Sequence, residues 1–495
     1  MDLLAGIVNS LTPTNLLYCF VGCLLGTLVG VLPGLGPAAT LSILLPVTMN
    51  LNPTGSVIML AGLAYGSQYG GSTTSILVNI PGEAASVVTC LDGYAMTKQG
   101  KAGQALWVAA VGSFIAGTLS TLGLSFIGYP IAKFGLRFGP PEYFGLLLMG
   151  MTLIVGLSGG SLIKGIAAGL FGMLLAGVGL DPVTAAKRFT LGTTRLMQGF
   201  DLVAVTIGLF GISEILISSE AAVERIYKGK IGKMIPPMRE VVKALKSTLR
   251  ATGVGFPLGL IPGLSPIISS LMAYDLEKKF SKYPEKFGTG VIEGVAAPEA
   301  ANNATAQSGF VPLMCLGIPT NPVNAIILAA LMLYGLKPGP VFFAENKDFV
   351  WTVIGSMYIG NCMLLILNLP LIGVWARVST VPYKYLAPII LAICVVGSYS
   401  SRNSLFDVWV ALGSGVLGYY MRKNGWPTTP LLVGLILGDM IESSLRQSIT
   451  MGGIWIFFKR PIAVFFLVLA GVLVTLSLKF AVGKPEQRGE AEPIG

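Results

Sequence analysis

The chain of 495 residues contains no histidine. That absence removes the Ser-His-Asp triad, the HExxH zinc helix and any histidine proton relay. Charge is scarce as well: Asp, Glu, Lys and Arg make up 11% of the residues, where an average soluble domain carries about 25%. Residues 3–82 hold none at all. Six cysteines (Cys19, Cys23, Cys90, Cys315, Cys362 and Cys394) form no CxxC pair, and in their apolar settings they read as small buried hydrophobes. No basic stretch precedes the first apolar run, so that run is expected to remain in the mature protein as a span. Strand-like alternation is missing too, which excludes an outer-membrane barrel.

What fills the chain instead is apolar, with 53% hydrophobic residues and a mean hydropathy of +0.75. Runs at 16–32, 60–82, 104–132, 251–273, 349–376 and 461–478 are of bilayer-crossing length. A shorter run at 41–51 reads as one arm of a hairpin. The expected fold is an all-α polytopic membrane protein with roughly 12–14 transmembrane or half-spanning helices. The formal net charge of +10 gathers in 220–250, where Arg225, Lys228, Lys230, Lys233, Arg239, Lys243, Lys246 and Arg250 outnumber Glu220, Glu224 and Glu240. The positive-inside rule places such a loop in the cytoplasm; a basic folded surface for nucleic acid is not visible, so no nucleic-acid partner is expected.

This loop divides two segments that repeat each other. Gly30-Val31-Leu32-Pro33-Gly34-Leu35-Gly36-Pro37 and Gly259-Leu260-Ile261-Pro262-Gly263-Leu264-Ser265-Pro266 both read G-x-x-P-G-L-x-P. Further on, Asn79-Ile80-Pro81 is answered by Gly317-Ile318-Pro319. The expected organisation is a first membrane repeat (1–219), a basic cytoplasmic linker (220–250), a second repeat (251–478), taken as inverted, and a polar tail (479–495), expected to be disordered.

Prolines and glycines at this density force a helix to break. Inside a bilayer, broken backbone is tolerated only where protein buries it or where it lines a cavity, and paired interruptions in two halves point to a transporter's binding site. The start of a half-helix carries about half a positive charge, so an anion can bind there without a lysine. Unwound carbonyls and Asn or Thr side chains can hold Na⁺ beside it. The richest such stretch runs from Ala297-Pro298-Glu299-Ala300-Ala301-Asn302-Asn303-Ala304-Thr305 to Gly317-Ile318-Pro319-Thr320-Asn321-Pro322-Val323-Asn324, and is expected to be a discontinuous membrane segment.

These motifs resemble the large membrane subunit of the tripartite tricarboxylate transporters. So do Tyr69-Gly70-Gly71, Ile80-Pro81-Gly82-Glu83-Ala84-Ala85, Phe138-Gly139-Pro140-Pro141-Glu142-Tyr143-Phe144 and Leu336-Lys337-Pro338-Gly339-Pro340. The resemblance covers nearly the whole chain. It implies a bacterial inner-membrane secondary transporter for citrate-like di- or tricarboxylates, coupled to Na⁺ or H⁺ and with no organic cofactor. It also implies a small membrane partner subunit and a periplasmic solute-binding protein. Homodimerisation is left open. The chain departs from the family's small residues after the second Ile-Pro, carrying Thr320-Asn321 there.

Expected substrate contacts are Gly34, Gly36, Ser72, Thr73, Thr74, Gly263, Ser265, Asn302, Asn303, Thr305 and Thr320. Asn79, Pro81, Pro319 and Asn324 are the expected Na⁺ site. Ser72, Thr73 and Thr74 serve equally well as helix-packing glue. Glu83, Glu299, Asp439, Glu442, Asp201 and Glu214 adjoin apolar segments and are read as helix caps at the water interface, with proton or cation carriage as the alternative. A membrane-embedded enzyme acting on lipid substrates is the competing function; it would show clustered acids for Mg²⁺, and no tight cluster lies within a span. A passive channel is the third reading, and it would not need two polar sites.

Overall fold

Proline and glycine decide where this chain's helices begin and end. The computed structural model describes residues 2–32, 35–157, 161–181, 184–220, 231–378, 381 and 383–482. Pro33 and Gly34, residues 221–230 of the basic linker and residues 483–495 of the tail lie outside the described residues.

The first half comprises α1 (Asp2–Ser10), α2 (Pro13–Gly30), α3 (Pro37–Thr48), α4 (Pro53–Val78), α5 (Val87–Lys98), α6 (Ala102–Gly135), α7 (Pro140–Leu157) and α8 (Leu162–Ala176). A two-residue hairpin pairs Gly179–Leu180 with Lys187–Arg188. Then α9 (Leu202–Thr206) passes through a π turn at Ile207–Ile212 into α10 (Ser213–Glu220). The second half has α11 (Met238–Gly259), α12 (Pro266–Phe280), α13 (Glu293–Ser308), α14 (Phe310–Leu316), α15 (Pro322–Leu333), α16 (Pro340–Glu345), α17 (Lys347–Asn368), α18 (Ile372–Val378), α19 (Tyr383–Arg402), α20 (Leu405–Lys423), α21 (Thr429–Gly452), α22 (Ile456–Lys459) and α23 (Pro461–Val482). α2, α3, α4, α12 and α15 each carry proline in the first turn, where its missing N–H costs no hydrogen bond. Among the described residues, six helices are long and apolar enough to cross a membrane, and four shorter apolar ones accompany them. The protein is an all-α polytopic membrane protein.

The two halves use the same packing. α2 lies on α4, and α11 lies on α13. Both contacts are made by stripes of small residues that let backbones touch, as is common between membrane helices. A Cβ on Gly26 would sit 2.5 Å from the Leu63 carbonyl oxygen, and one on Gly66 2.6 Å from that of Cys23. In the second half, a Cβ on Gly255 would sit 2.5 Å from the Ala301 oxygen, and one on Gly259 2.4 Å from that of Thr305.

Around these pairs the halves trade helices. α6 packs on α13 and α17 on α4; α5 reaches α12 and α13, while α15 reaches α3 and α4. Farther out, α7 and α8 pack on α21, and α19 and α20 pack on the α9–α10 segment.

Two sequence expectations change, and one further stretch takes shape. The Asn302-Asn303 pair sits inside an unbroken α13; the interruption falls later, at residues 317–321. The charged stretch after Gly82 forms α5, which buries Val88, Thr89, Asp92, Gly93 and Met96. Asp92 accepts hydrogen bonds from the Tyr274 hydroxyl at 2.8 Å and from the Gly290 and Val291 amides at 2.8 and 2.9 Å, so it anchors the loop ahead of α13. The run at 349–376 is split into α17 and α18 at Leu369-Pro370-Leu371, where Pro370 cannot continue the helix.

Candidate functional site

In each half the two interruptions come together. Gly263 has φ of +86° and donates its N–H to the Thr320 oxygen at 2.9 Å. A Cβ there would meet the Leu153 oxygen at 2.6 Å, so both conformation and space require glycine. In the first half a Cβ on Gly82 would meet the Gly30 oxygen at 2.4 Å.

The second interruptions match in conformation as well as sequence. α4 ends on Asn79 with φ 57°, and α14 ends on Gly317 with φ 73°, both left-handed. Glycine and asparagine tolerate that region best. Four residues later, Glu83 (φ −143°, ψ 164°) starts a short 3₁₀ turn, and Asn321 (φ −151°, ψ 172°) caps α15. The first interruptions end the same way, with Gly36 capping α3 and Ser265 capping α12 from extended backbone.

All four interruptions line one cavity of about 150 Å³. Pro37 and Ala38 enter from the first, Glu83 to Ala85 from the second, Ser265 and Pro266 from the third, and Asn321 to Asn324 from the fourth. Tyr65, Gln68, Ala306 and Phe310 complete its wall. Since a cavity of about 10–15 Å³ admits one water, the space suits a solute much larger than a single water. Three helix starts face it; at α12 and α15 the first-turn amides of Ile267 and Asn324 are met by the Ser265 and Asn321 side chains. Among the described residues the Tyr65 hydroxyl and Gln68 Oε1 are buried without a partner, so the wall carries polar atoms that can meet a solute.

Beneath this cavity lies a polar layer shared by both halves. Asn302 Nδ2 donates to Glu83 Oε1 at 2.5 Å. One turn earlier on α13, Glu299 accepts from Ser72 Oγ at 2.6 Å and Thr89 Oγ1 at 2.5 Å. Asn303 Nδ2 donates to Ser113 Oγ at 2.8 Å and to the Glu299 carbonyl at 3.0 Å.

The expected contacts therefore divide. Ser265 lines the cavity, and Gly36 caps the helix whose Pro37 lines it. Thr320 is buried and accepts from Asn324 Nδ2 at 2.9 Å, holding Asn324 at the wall. Asn302, Asn303 and Ser72 belong to the polar layer, and Thr73 is buried beside it. Thr305 donates to the Gly255 oxygen at 2.9 Å and so ties α13 to α11, whereas Thr74 donates to the Gly71 oxygen at 3.0 Å within α4 itself. Asn79 is exposed as a helix cap while Asn324 is buried. Asn79, Pro81, Pro319 and Asn324 therefore do not share the cavity, of which Asn324 alone is a lining residue.

Two acids read as interfacial caps are instead in the interior. Glu83 is 8% exposed and Glu299 1%. Asp201 does cap α9, and it pairs with Arg402 at 3.5 Å; Glu214 pairs with Arg422 and Glu442 with Arg188. The sequence signal for Glu299 was its place in a long stretch free of basic residues, which leaves only neutral donors to meet it.

Residues 16–433 match the sequence model of the tripartite tricarboxylate transporter TctA family. An uncharacterised 52.8 kDa protein in the TAR-I ttuC′ 3′ region of Agrobacterium vitis is 43% identical over 490 residues, 97% of each chain. An uncharacterised protein in the TAR-II ttuC′ 3′ region of the same organism is 45% identical over 226 residues, 45% of this chain and 93% of its own. No solved structure matches. The chain, a multi-pass protein of the inner membrane, belongs to the tripartite tricarboxylate transporter TctA family and is a subunit of such a transporter.

Proposed function

We propose that the chain imports small di- or tricarboxylates of the citrate class, coupled to Na⁺ or H⁺. A small membrane subunit and a periplasmic solute-binding protein complete the system and deliver the solute. The observation that carries this reading is the single cavity lined by all four chain interruptions. Three helix starts supply positive potential to carboxylates, while Ser265, Asn321 and Asn324 add polar side chains.

Glu83 at the same wall opposes an anion. Its charge gives the coupling cation a purpose: the cation neutralises the site so that the carboxylate can enter. The two repeats, 1–219 and 251–478, alternate access around this cavity, with residues 220–250 joining them on the cytoplasmic side.

Uptake of labelled citrate, succinate and malate into proteoliposomes containing this chain and its small subunit tests the proposal. Accumulation that needs an inward Na⁺ or H⁺ gradient is expected. Equilibration without accumulation under either gradient would refute coupled transport.

A further inference from the structure

Glu299 is among the most deeply buried acids of the membrane region. It is 1% exposed, and among the described residues it makes no ion pair; its partners are the hydroxyls of Ser72, Thr89 and Ser113. A buried carboxylate with neutral donors alone is costly. It keeps its charge beside a cation or loses it to a proton.

The surroundings separate those two cases. A cavity of about 10 Å³ opens beside Glu299, the size of a single water. Tyr69, Ser72, Ser113 and Asn368 line it too. Asn368 is 4% exposed, and its Nδ2 donates to the Leu364 oxygen at 2.8 Å. That bond fixes the amide so that Oδ1 is left over, buried and, among the described residues, without a donor. Among the described residues the Tyr69 hydroxyl is buried and unpartnered as well. A proton would neutralise Glu299 but would make no joint use of the amide and phenol oxygens buried at the same cavity. A hard cation takes carboxylate, amide and hydroxyl oxygens together. The single carboxylate balances one positive charge, and no group of three or more His, Cys, Asp or Glu side chains that could hold a metal ion occurs among the described residues, which fits a monovalent ion better than a multivalent one.

We propose that this small cavity is a Na⁺ site, with Glu299 as its charged ligand and Asn368 Oδ1, the Tyr69 hydroxyl and Ser72 Oγ as neutral ligands. The site joins helices from both halves, since Tyr69 and Ser72 belong to α4, Glu299 to α13 and Asn368 to α17. Binding of Na⁺ here does not depend on the solute; only its link to uptake rests on the proposed carboxylate transport.

The test is thermal unfolding of the purified full chain in detergent, titrated with NaCl, KCl or choline chloride at constant ionic strength. Equilibrium binding of ²²Na⁺ is measured in parallel. The expected result is a saturable rise in melting temperature specific to Na⁺. Asn368→Leu is expected to weaken Na⁺ about tenfold or more, the scale of one lost charged-group hydrogen bond or ligand, and Glu299→Gln to abolish the effect. Should Glu299→Gln fail to fold, Asn368→Leu and Tyr69→Phe carry the test. Equal melting in Na⁺ and choline, or stabilisation by acid alone, would overturn the site. Intact Na⁺ binding without any carboxylate uptake would sustain the site and defeat the transport reading instead.

Discussion

Asn302 on α13 donates a hydrogen bond to Glu83, the residue that opens the turn after α4, across an Nδ2–Oε1 distance of 2.5 Å. The bond crosses from one half to the other directly under the 150 Å³ cavity. Asn302→Leu removes the donor and leaves a buried acid unsatisfied. A hydrogen bond to a charged group is worth about 1.5–3 kcal/mol, so carboxylate uptake is expected to fall roughly ten- to a hundredfold. Replacing Asn302 and Asn303 together with leucine is expected to abolish it. Initial uptake rates in proteoliposomes, normalised to reconstituted protein, provide the check.

Filling the cavity separates solute binding from folding. Ala38 and Ala306 both line it, and a leucine at either place projects into open volume. Ala38→Leu and Ala306→Leu are expected to melt within a few degrees of wild type, because overpacking costs little where space exists. Both are expected to lose the stabilisation that citrate or another accepted carboxylate confers. Ligand-dependent thermal shift measures this directly.

Asp92 holds a loop rather than a solute. It accepts from Tyr274, Gly290 and Val291, and also from the Gly288 amide at 3.0 Å. Asp92→Ala strands those donors, for a loss on the order of 3 kcal/mol. Limited proteolysis is expected to cut the chain between α12 and α13 in the variant and to spare the wild type.

Backbone contact between α2 and α4 leaves no room for side chains. Gly26→Leu and Gly66→Leu are expected to abolish a monodisperse peak in size-exclusion chromatography. Gly253 provides the contrast, since a Cβ there meets nothing within 4 Å. Gly253→Ala is expected to raise stability by about 0.5–1 kcal/mol, the gain of alanine over glycine inside a helix.

Much of this architecture was legible in the sequence because proline and glycine act locally. Pro37, Pro266 and Pro322 start helices wherever they fall in such a pattern, and the duplicated G-x-x-P-G-L-x-P motif marked both first interruptions. Ser265 and Asn324 were named for the same reason. Asn79 misled because a polar side chain before Ile-Pro looks like a ligand; its left-handed backbone, matched by Gly317, gives it a cap's task. Glu83 and Glu299 were misplaced for a different cause. An acid near the edge of an apolar run reads as interfacial until tertiary packing brings Ser72, Thr89, Ser113 and Asn302 around it, and those partners lie some two hundred residues away in the chain.

The exchange of flanking helices also governs how such a chain can be made. While the ribosome is still reading the second half, α4 has already been released with its serines and threonines, and the surfaces that α17 and α15 will cover are bare. Neither half supplies its own cover for those surfaces, so the packing is completed only once α15 and α17 have been made. Shortening the delay between the two halves, or supplying them from separate messages inside one cell, then becomes a matter of assembly timing rather than of sequence.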